Sequence, residues 1–248
     1  MGRITDAVKH LIIINVLFFV ATQLYGDQMY QWFSLWFPKN ENFEFWQVIS
    51  HMFMHGGFMH ILFNMYALWA FGSPLEKMWG RNKFFFFYFS AGIGAALIHT
   101  GVNYYYFNQG LDALVSTGIP KEQIIEIVSG GKYSPSWYDV VSKGTIDNFL
   151  GAFNTPAVGA SGAIYGVLVA FGMSYPNSEL FLMFIPVPVK AKYFIPVLIG
   201  LDLFSGVTGY SIFGNGIAHF AHVGGALFGF IMMWYWKNNQ FNNNRWDR

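Results

Sequence analysis

Three short runs hold the residues able to do chemistry. The first, HMFMHGGFMHILFNM, sets His51, His55 and His60 ahead of Asn64. The second, VGASGAIYG, carries Ser161 and Tyr165, and the third, AHFAHVGGALFG, carries His219 and His222. A serine becomes a nucleophile at neutral pH when a base takes its proton, and histidine is the usual base. Ser161 lies between Gly159 and Gly162 where the chain enters an apolar helix. Its hydroxyl therefore falls near free backbone N–H groups and the positive end of a helix dipole, which can stabilise an oxyanion. The run is not a G-x-S-x-G nucleophile elbow, because Ala163 stands where the last glycine belongs. A serine at such a place also serves as a helix back-bonder or packing residue.

The histidines carry similar alternatives. His60 and Asn64 are four apart, so both project from one helical face. An imidazole N–H and a side-chain amide, with the Ser161 backbone N–H, would make an oxyanion hole; they would equally tie their helix to its neighbours. His222 precedes Gly225 and Gly229, a small-xxx-small face that lets its helix approach another closely and bring the imidazole to Ser161. An interhelical structural histidine fits His219 as well as His222, and spacing alone does not choose. His51 and His55 precede the helix and face a glycine pair, which suits loop-stabilising roles. His99 reads as a satisfied structural histidine.

Something must hold these runs together, and the composition says what. The 248 residues are 54% hydrophobic and 21% aromatic but only 11% charged, against roughly a quarter charged in a soluble domain. Lipid is the expected solvent, and the many Trp and Tyr residues suit two membrane–water interfaces. The net charge of +1 gives no reason to expect a nucleic-acid partner, and the absence of cysteine excludes disulfides and thiolate metal sites. A spanning helix needs roughly 20 mostly apolar residues. Six segments qualify, at about 8–26, 57–77, 83–106, 157–175, 191–208 and 217–236, with Pro196 and Asp202 interrupting the fifth. The expected fold is an all-α membrane protein, a six-transmembrane-helix bundle forming one domain over residues 1–236.

The connections differ in kind. The Trp- and Phe-rich stretch between segments one and two is too broken to span and reads as an interfacial loop with short helix. Residues 107–156 form a long third loop, with a short surface helix predicted over 120–128, where Pro120 takes the first helical position. Residues 237–248 form an Asn-rich tail expected to be disordered. The apolar run at 11–24 lacks a small-x-small cleavage pattern, so it reads as a retained span, and Asp6 spoils a myristoylation motif. Ten of the fourteen basic residues (Arg3, Lys9, Lys77, Arg81, Lys83, Lys190, Lys192, Lys237, Arg245 and Arg248) fall on one side of a six-span arrangement. Both termini are thus expected in the cytoplasm. All three polar runs then lie toward the extracytoplasmic side, at one depth. Polar groups in spans are costly and by default functional, so a shared cavity is expected.

Taken together, the runs resemble the rhomboid family of intramembrane serine proteases. The resemblance rests on H-x-x-x-H-x-x-x-x-H-x-x-x-N, then G-x-S-G-x-x-Y-G, then A-H-x-G-G-x-x-x-G, in that order across six spans. The Gly-Ser-Pro-Leu-Glu-Lys stretch that includes Glu76 also resembles the family pattern, with a structural role for that glutamate. The resemblance implies Ser161 as nucleophile, His222 as general base, and His60 and Asn64 as oxyanion stabilisers. It implies that the Tyr165 ring packs against His222, with Tyr165 and Gly159 on the substrate side. His219, His51, His55, Gly225 and Gly229 are left as structural residues. It implies a two-residue site, so Asp202 is not taken as a third member. Where relatives carry Trp-Arg, this chain has Trp46-Gln47, which puts a contact within the first loop in doubt. Substrates would be transmembrane proteins in the lipid bilayer, cut without metal or cofactor, in a setting read as the bacterial inner membrane; nothing in the sequence speaks to oligomeric state. A non-catalytic relative that binds client helices is the alternative. A two-iron oxygenase is disfavoured, because no H-x-x-H-H run accompanies the paired histidines.

Overall fold

The computed structural model describes residues 3–182, 185–210 and 218–239. Six principal helices occupy the six apolar segments. Helix α1 is Asp6–Tyr25; α2 runs Phe58–Ala67, continues through a wider π-helical turn, Leu68–Gly72, and ends as Ser73–Trp79. Helix α3 is Arg81–Ser116, α4 is Ser161–Ser174, α5 is Ala191–Thr208 and α6 is His219–Asn238. The wide turn in α2 has a cause in Pro74. Its missing N–H and bulky ring cannot continue a regular ladder four residues back. Among the described residues, α1, α3 and α5 are long and apolar enough to cross a bilayer, and α4 is a shorter apolar helix. Leu17, Val20 and Leu24 on α1 and Leu227, Phe230 and Ile231 on α6 face outward and exposed. A chain dissolved in water would bury that surface; one dissolved in lipid need not.

Helix α4 is the centre of the bundle. Every residue from Gly162 to Phe171 is buried, and α3, α5 and α6 pack around it. Its approach to α6 is set by paired glycines. A Cβ on Gly225 would overlap the Gly162 carbonyl, and one on Gly229 would lie 2.6 Å from the Gly166 Cα. The backbones therefore touch, which only residues without side chains permit. Gly225 and Gly229 were expected to do this; their partners, Gly162 and Gly166, were not singled out, although they share the same four-residue spacing.

Several connections depart from expectation. Helix α3 is 36 residues long, about 54 Å at 1.5 Å per residue, so it continues well into the predicted loop. The rest of that loop folds into helices Lys121–Ser129, Trp137–Val140 and Lys143–Asn154, with Pro120 one position before the first of them. Phe107, Leu111, Trp137, Ile146 and Phe149 close a second hydrophobic core with Phe37 of the first loop. The segment is a small packed unit, because its amphipathic helices bury their apolar faces on one another. An unpredicted antiparallel hairpin, β1 (Glu179–Leu182) and β2 (Ile185–Lys190), joins α4 to α5. It is a short addition to a mostly helical, all-α membrane fold. The tail beyond residue 239 and residue 217 lie outside the described residues.

Two buried polar side chains fasten the frame. Glu76 accepts hydrogen bonds from the Ala7 N–H at 2.8 Å, the Val8 N–H at 3.0 Å and the Thr5 hydroxyl. It thus satisfies first-turn donors of α1, which have no partner within their own helix. Gln47 is fully buried. Its amide donates to the carbonyls of Asn42 (2.7 Å) and Gln31 (3.0 Å) and accepts from the Trp36 N–H (3.2 Å). The first loop therefore keeps its internal staple: the glutamine supplies it with a neutral amide.

Candidate active site

His60, Ser161 and His222 each sit in the first turn of their helix, α2, α4 and α6. Helices of even number run the same way through an antiparallel bundle, so these first turns meet at one end. The segment entering α4 is fixed by the first loop. Leu35 and Ala157 exchange two backbone hydrogen bonds of 2.9 Å, and the Gly159 N–H donates to the His51 carbonyl at 2.9 Å. Gly159 adopts φ +124°, and a Cβ there would lie 2.8 Å from His60 Nε2 and 3.4 Å from Ser161 Oγ. Glycine is needed for both the left-handed backbone and the closeness of the imidazole.

Ser161 Oγ lies 2.8 Å from His222 Nε2. His222 Nδ1 lies 3.2 Å from Asp202 Oδ1. A carboxylate can only accept, so Nδ1 carries the proton and Nε2 presents its lone pair to the serine O–H. The Tyr165 ring stacks on the His222 ring, 4.3 Å between centroids and 12° from parallel. The Tyr165 hydroxyl donates to Asp202 Oδ2, and His219 Nδ1 donates to Oδ1 at 2.5 Å. The glycine face of α6 is thus in register with His222 on Ser161, while His219 points to the carboxylate.

Asp202 is the residue that sequence reasoning set aside. It is 1% exposed, and its place follows from α5 itself. Ile195, Asp202 and Ser205 are the buried positions after Ala191, spaced seven and three apart, so they form one inward stripe. That spacing was the available signal; the carboxylate's partners, all on other helices, were not.

Across the serine, the Gly56 N–H donates to His60 Nδ1 at 3.4 Å, leaving Nε2 as the protonated nitrogen, directed toward Gly159 and Ser161. Asn64 is buried, and among the described residues its Nδ2 donates to nothing. An amide donor left unpaired in a protein interior costs about 1–3 kcal/mol, a cost that an incoming oxyanion would remove. Hydroxyl, base and the His60 donor thus lie together in a form suited to acyl transfer, with Asn64 one turn beyond His60 on the same helix.

The remaining histidines have local duties. His51 Nδ1 bonds the Gln47 carbonyl at 2.8 Å, and burial pushes its pKa down to about 4. His55 is wholly buried with its ring edge-on to His60 at 4.9 Å, and burial pushes its pKa down to about 3. Its carbonyl accepts from the Tyr30 hydroxyl at 3.3 Å. Asn103 Nδ2 donates to His99 Nε2 at 3.1 Å, one turn along α3.

Residues 42–119 and 134–239 match the family model described as the rhomboid domain. These stretches contain all three polar runs and skip part of the helical insertion. Rhomboid protein 1, mitochondrial, of Saccharomyces cerevisiae is 26% identical over 188 residues, covering 76% of this chain and 41% of that protein. Presenilin-associated rhomboid-like protein, mitochondrial, of Bos taurus is 29% identical over 194 residues, covering 76% and 38%. The Homo sapiens protein of that name is 28% identical over the same length and shares. The chain spans about two fifths of the length of these curated relatives. They are mitochondrial by name, and the comparisons lend the expected bacterial setting no support.

Proposed function

The chain belongs to the rhomboid family of integral membrane proteins, and from that premise we propose that it is an intramembrane serine endopeptidase. The observation that carries the reading is the 2.8 Å contact between Ser161 Oγ and His222 Nε2 in the first turns of two touching helices. Ser161 Oγ attacks the carbonyl carbon of a scissile peptide bond as its proton passes to His222 Nε2. The oxyanion that forms accepts hydrogen bonds from His60 Nε2–H, Asn64 Nδ2–H and the Ser161 N–H. Collapse breaks the C–N bond; the imidazolium returns its proton to the leaving amine, and an acyl-enzyme remains. Water then attacks the ester, again giving its proton to His222, and releases the new carboxyl end and the serine.

Each of the six helices crosses the bilayer in this reading, within a single domain over residues 1–236. Both termini and the tail lie on the side rich in Lys and Arg. The site and the helical insertion open to the opposite side, from which water reaches Ser161. Substrates are transmembrane or membrane-adjacent segments that unwind locally to expose a carbonyl. The test is cleavage of a model transmembrane substrate in proteoliposomes by the native chain, Ser161→Ala and His222→Ala. Cleavage lost in both variants is the expected result. Cleavage that persists in Ser161→Ala would overturn the reading, as would substrate binding without cutting by the native chain.

A further inference from the structure

A carboxylate buried in an apolar helix is costly unless paired and hydrogen-bonded, so its partners indicate why it is there. Among the described residues Asp202 has three, and all belong to the Ser161–His222 assembly: the Tyr165 hydroxyl on Oδ2, His219 Nδ1 on Oδ1 and His222 Nδ1 on the same oxygen. Tyr165 and His219 tie the carboxylate to α4 and α6, so neither of its oxygens can turn away from His222. The stacked Tyr165 ring sets the plane of the His222 imidazole, and Asp202 sets its rotation within that plane.

Resting on the serine-protease reading of the site, we infer that Asp202 is the positioning residue of His222, making the constellation Ser161–His222–Asp202. Asp202 holds the Nδ1–H tautomer, so that Nε2 faces the serine hydroxyl with its lone pair. When Ser161 gives its proton to Nε2, the imidazole gains a positive charge 3.2 Å from a buried anion. The buried charge is compensated as it develops, while the proton on Nδ1 stays where it is. The second role of Asp202, as hub for Tyr165 and His219, keeps α4, α5 and α6 in register around that contact. It also explains why Tyr165 is buried against the site's own side chains.

The experiment compares the native chain with Asp202→Asn, Ser161→Ala and His222→Ala in proteoliposomes, with substrate titrated to separate kcat from KM. Asn keeps the shape but loses the charge and one acceptor. The inference expects kcat to fall about 10²- to 10⁴-fold in Asp202→Asn, with KM within about threefold. It also expects Asp202→Asn to add nothing to His222→Ala, because a residue that acts through His222 is silent once His222 is gone. A native kcat in Asp202→Asn, or a further loss in the His222→Ala background, would overturn it. Should Asp202→Asn fail to fold, ¹⁵N-histidine solid-state NMR of the native chain decides. His222, assigned by its absence from the His222→Ala spectrum, must be the Nδ1–H tautomer at neutral pH, and an Nε2–H tautomer would overturn the inference. If Ser161→Ala and His222→Ala remain active, the underlying protease reading has failed; if they are inactive while Asp202→Asn is native, only the role of Asp202 has.

Discussion

Replacing Gly225 by alanine should separate α4 from α6 and, with them, Ser161 from His222. The added Cβ would overlap the Gly162 carbonyl oxygen and stand 2.7 Å from its carbon and 3.3 Å from the Gly162 Cα. Carbon atoms rest at about 3.5–4.0 Å, and both partners here are backbone, so the helices must part by about 1 Å. Ser161 precedes Gly162, and His222 lies one turn before Gly225, so the 2.8 Å contact between them opens by a similar amount. At roughly 3.8 Å the proton is out of direct reach, and a displacement of this size costs about 10²-fold in rate. Overpacking should also cost about 1–3 kcal/mol of stability. The assay is the second-order rate of labelling by a serine-directed fluorophosphonate, alongside thermal unfolding. Gly101→Ala in α3 is the control, because a Cβ there meets nothing within 4 Å and alanine suits a helix better by about 1 kcal/mol. A Gly225→Ala protein labelled at the native rate would refute the reasoning.

Other perturbations should act at separate places. Glu76→Ala strips the first turn of α1 of its acceptor and should lower stability by about 1–3 kcal/mol, read as a lower melting temperature with the labelling rate of the folded fraction unchanged. Gln47→Ala removes the staple of the first loop and should raise protease sensitivity between residues 31 and 47. Gly159→Ala forces a strained backbone and pushes on His60, so acylation should slow while the Ser161–His222 contact stays intact. The pH response follows from His51 and His55, held neutral by burial with pKa values near 4 and 3. Unfolded histidines take up protons below about pH 6.5 and the folded ones do not. Their contribution is therefore complete above that pH and shrinks by roughly 1 kcal/mol per pH unit per histidine on acidification toward pH 4. Melting curves from pH 7.5 to 4.5 should show this acid loss, and His55→Leu should flatten it.

Much of this was legible in the order of residues, for local reasons. Six apolar segments match six helices, because a helix satisfies its backbone polar groups within the segment itself. His219, His222 and Gly225 lie on one helix, so the close approach was legible from spacing, while the choice of His222 over His219 came only with the family resemblance. Asp202 was set aside because its contacts come from three side chains on two other helices, although its alignment with Ile195 marked an inward face. The long third loop looked like a loop because it is polar and carries Gly and Pro. Its compactness comes from Phe107, Trp137 and Phe149 meeting across about forty residues, which no local periodicity reports. Gln47 looked like a lost contact because an expected cation was missing, yet an amide both donates and accepts and so serves a loop of carbonyls well.

The central claim is that Ser161 is a nucleophile made reactive by His222. Its most direct test is to treat the native chain in lipid with a fluorophosphonate, digest it and locate the adduct by mass spectrometry. The account predicts a single phosphonylated residue, Ser161, with modification abolished in His222→Ala while that protein melts near the native temperature. An adduct on another serine, or modification of Ser161 at the same rate without His222, would contradict it.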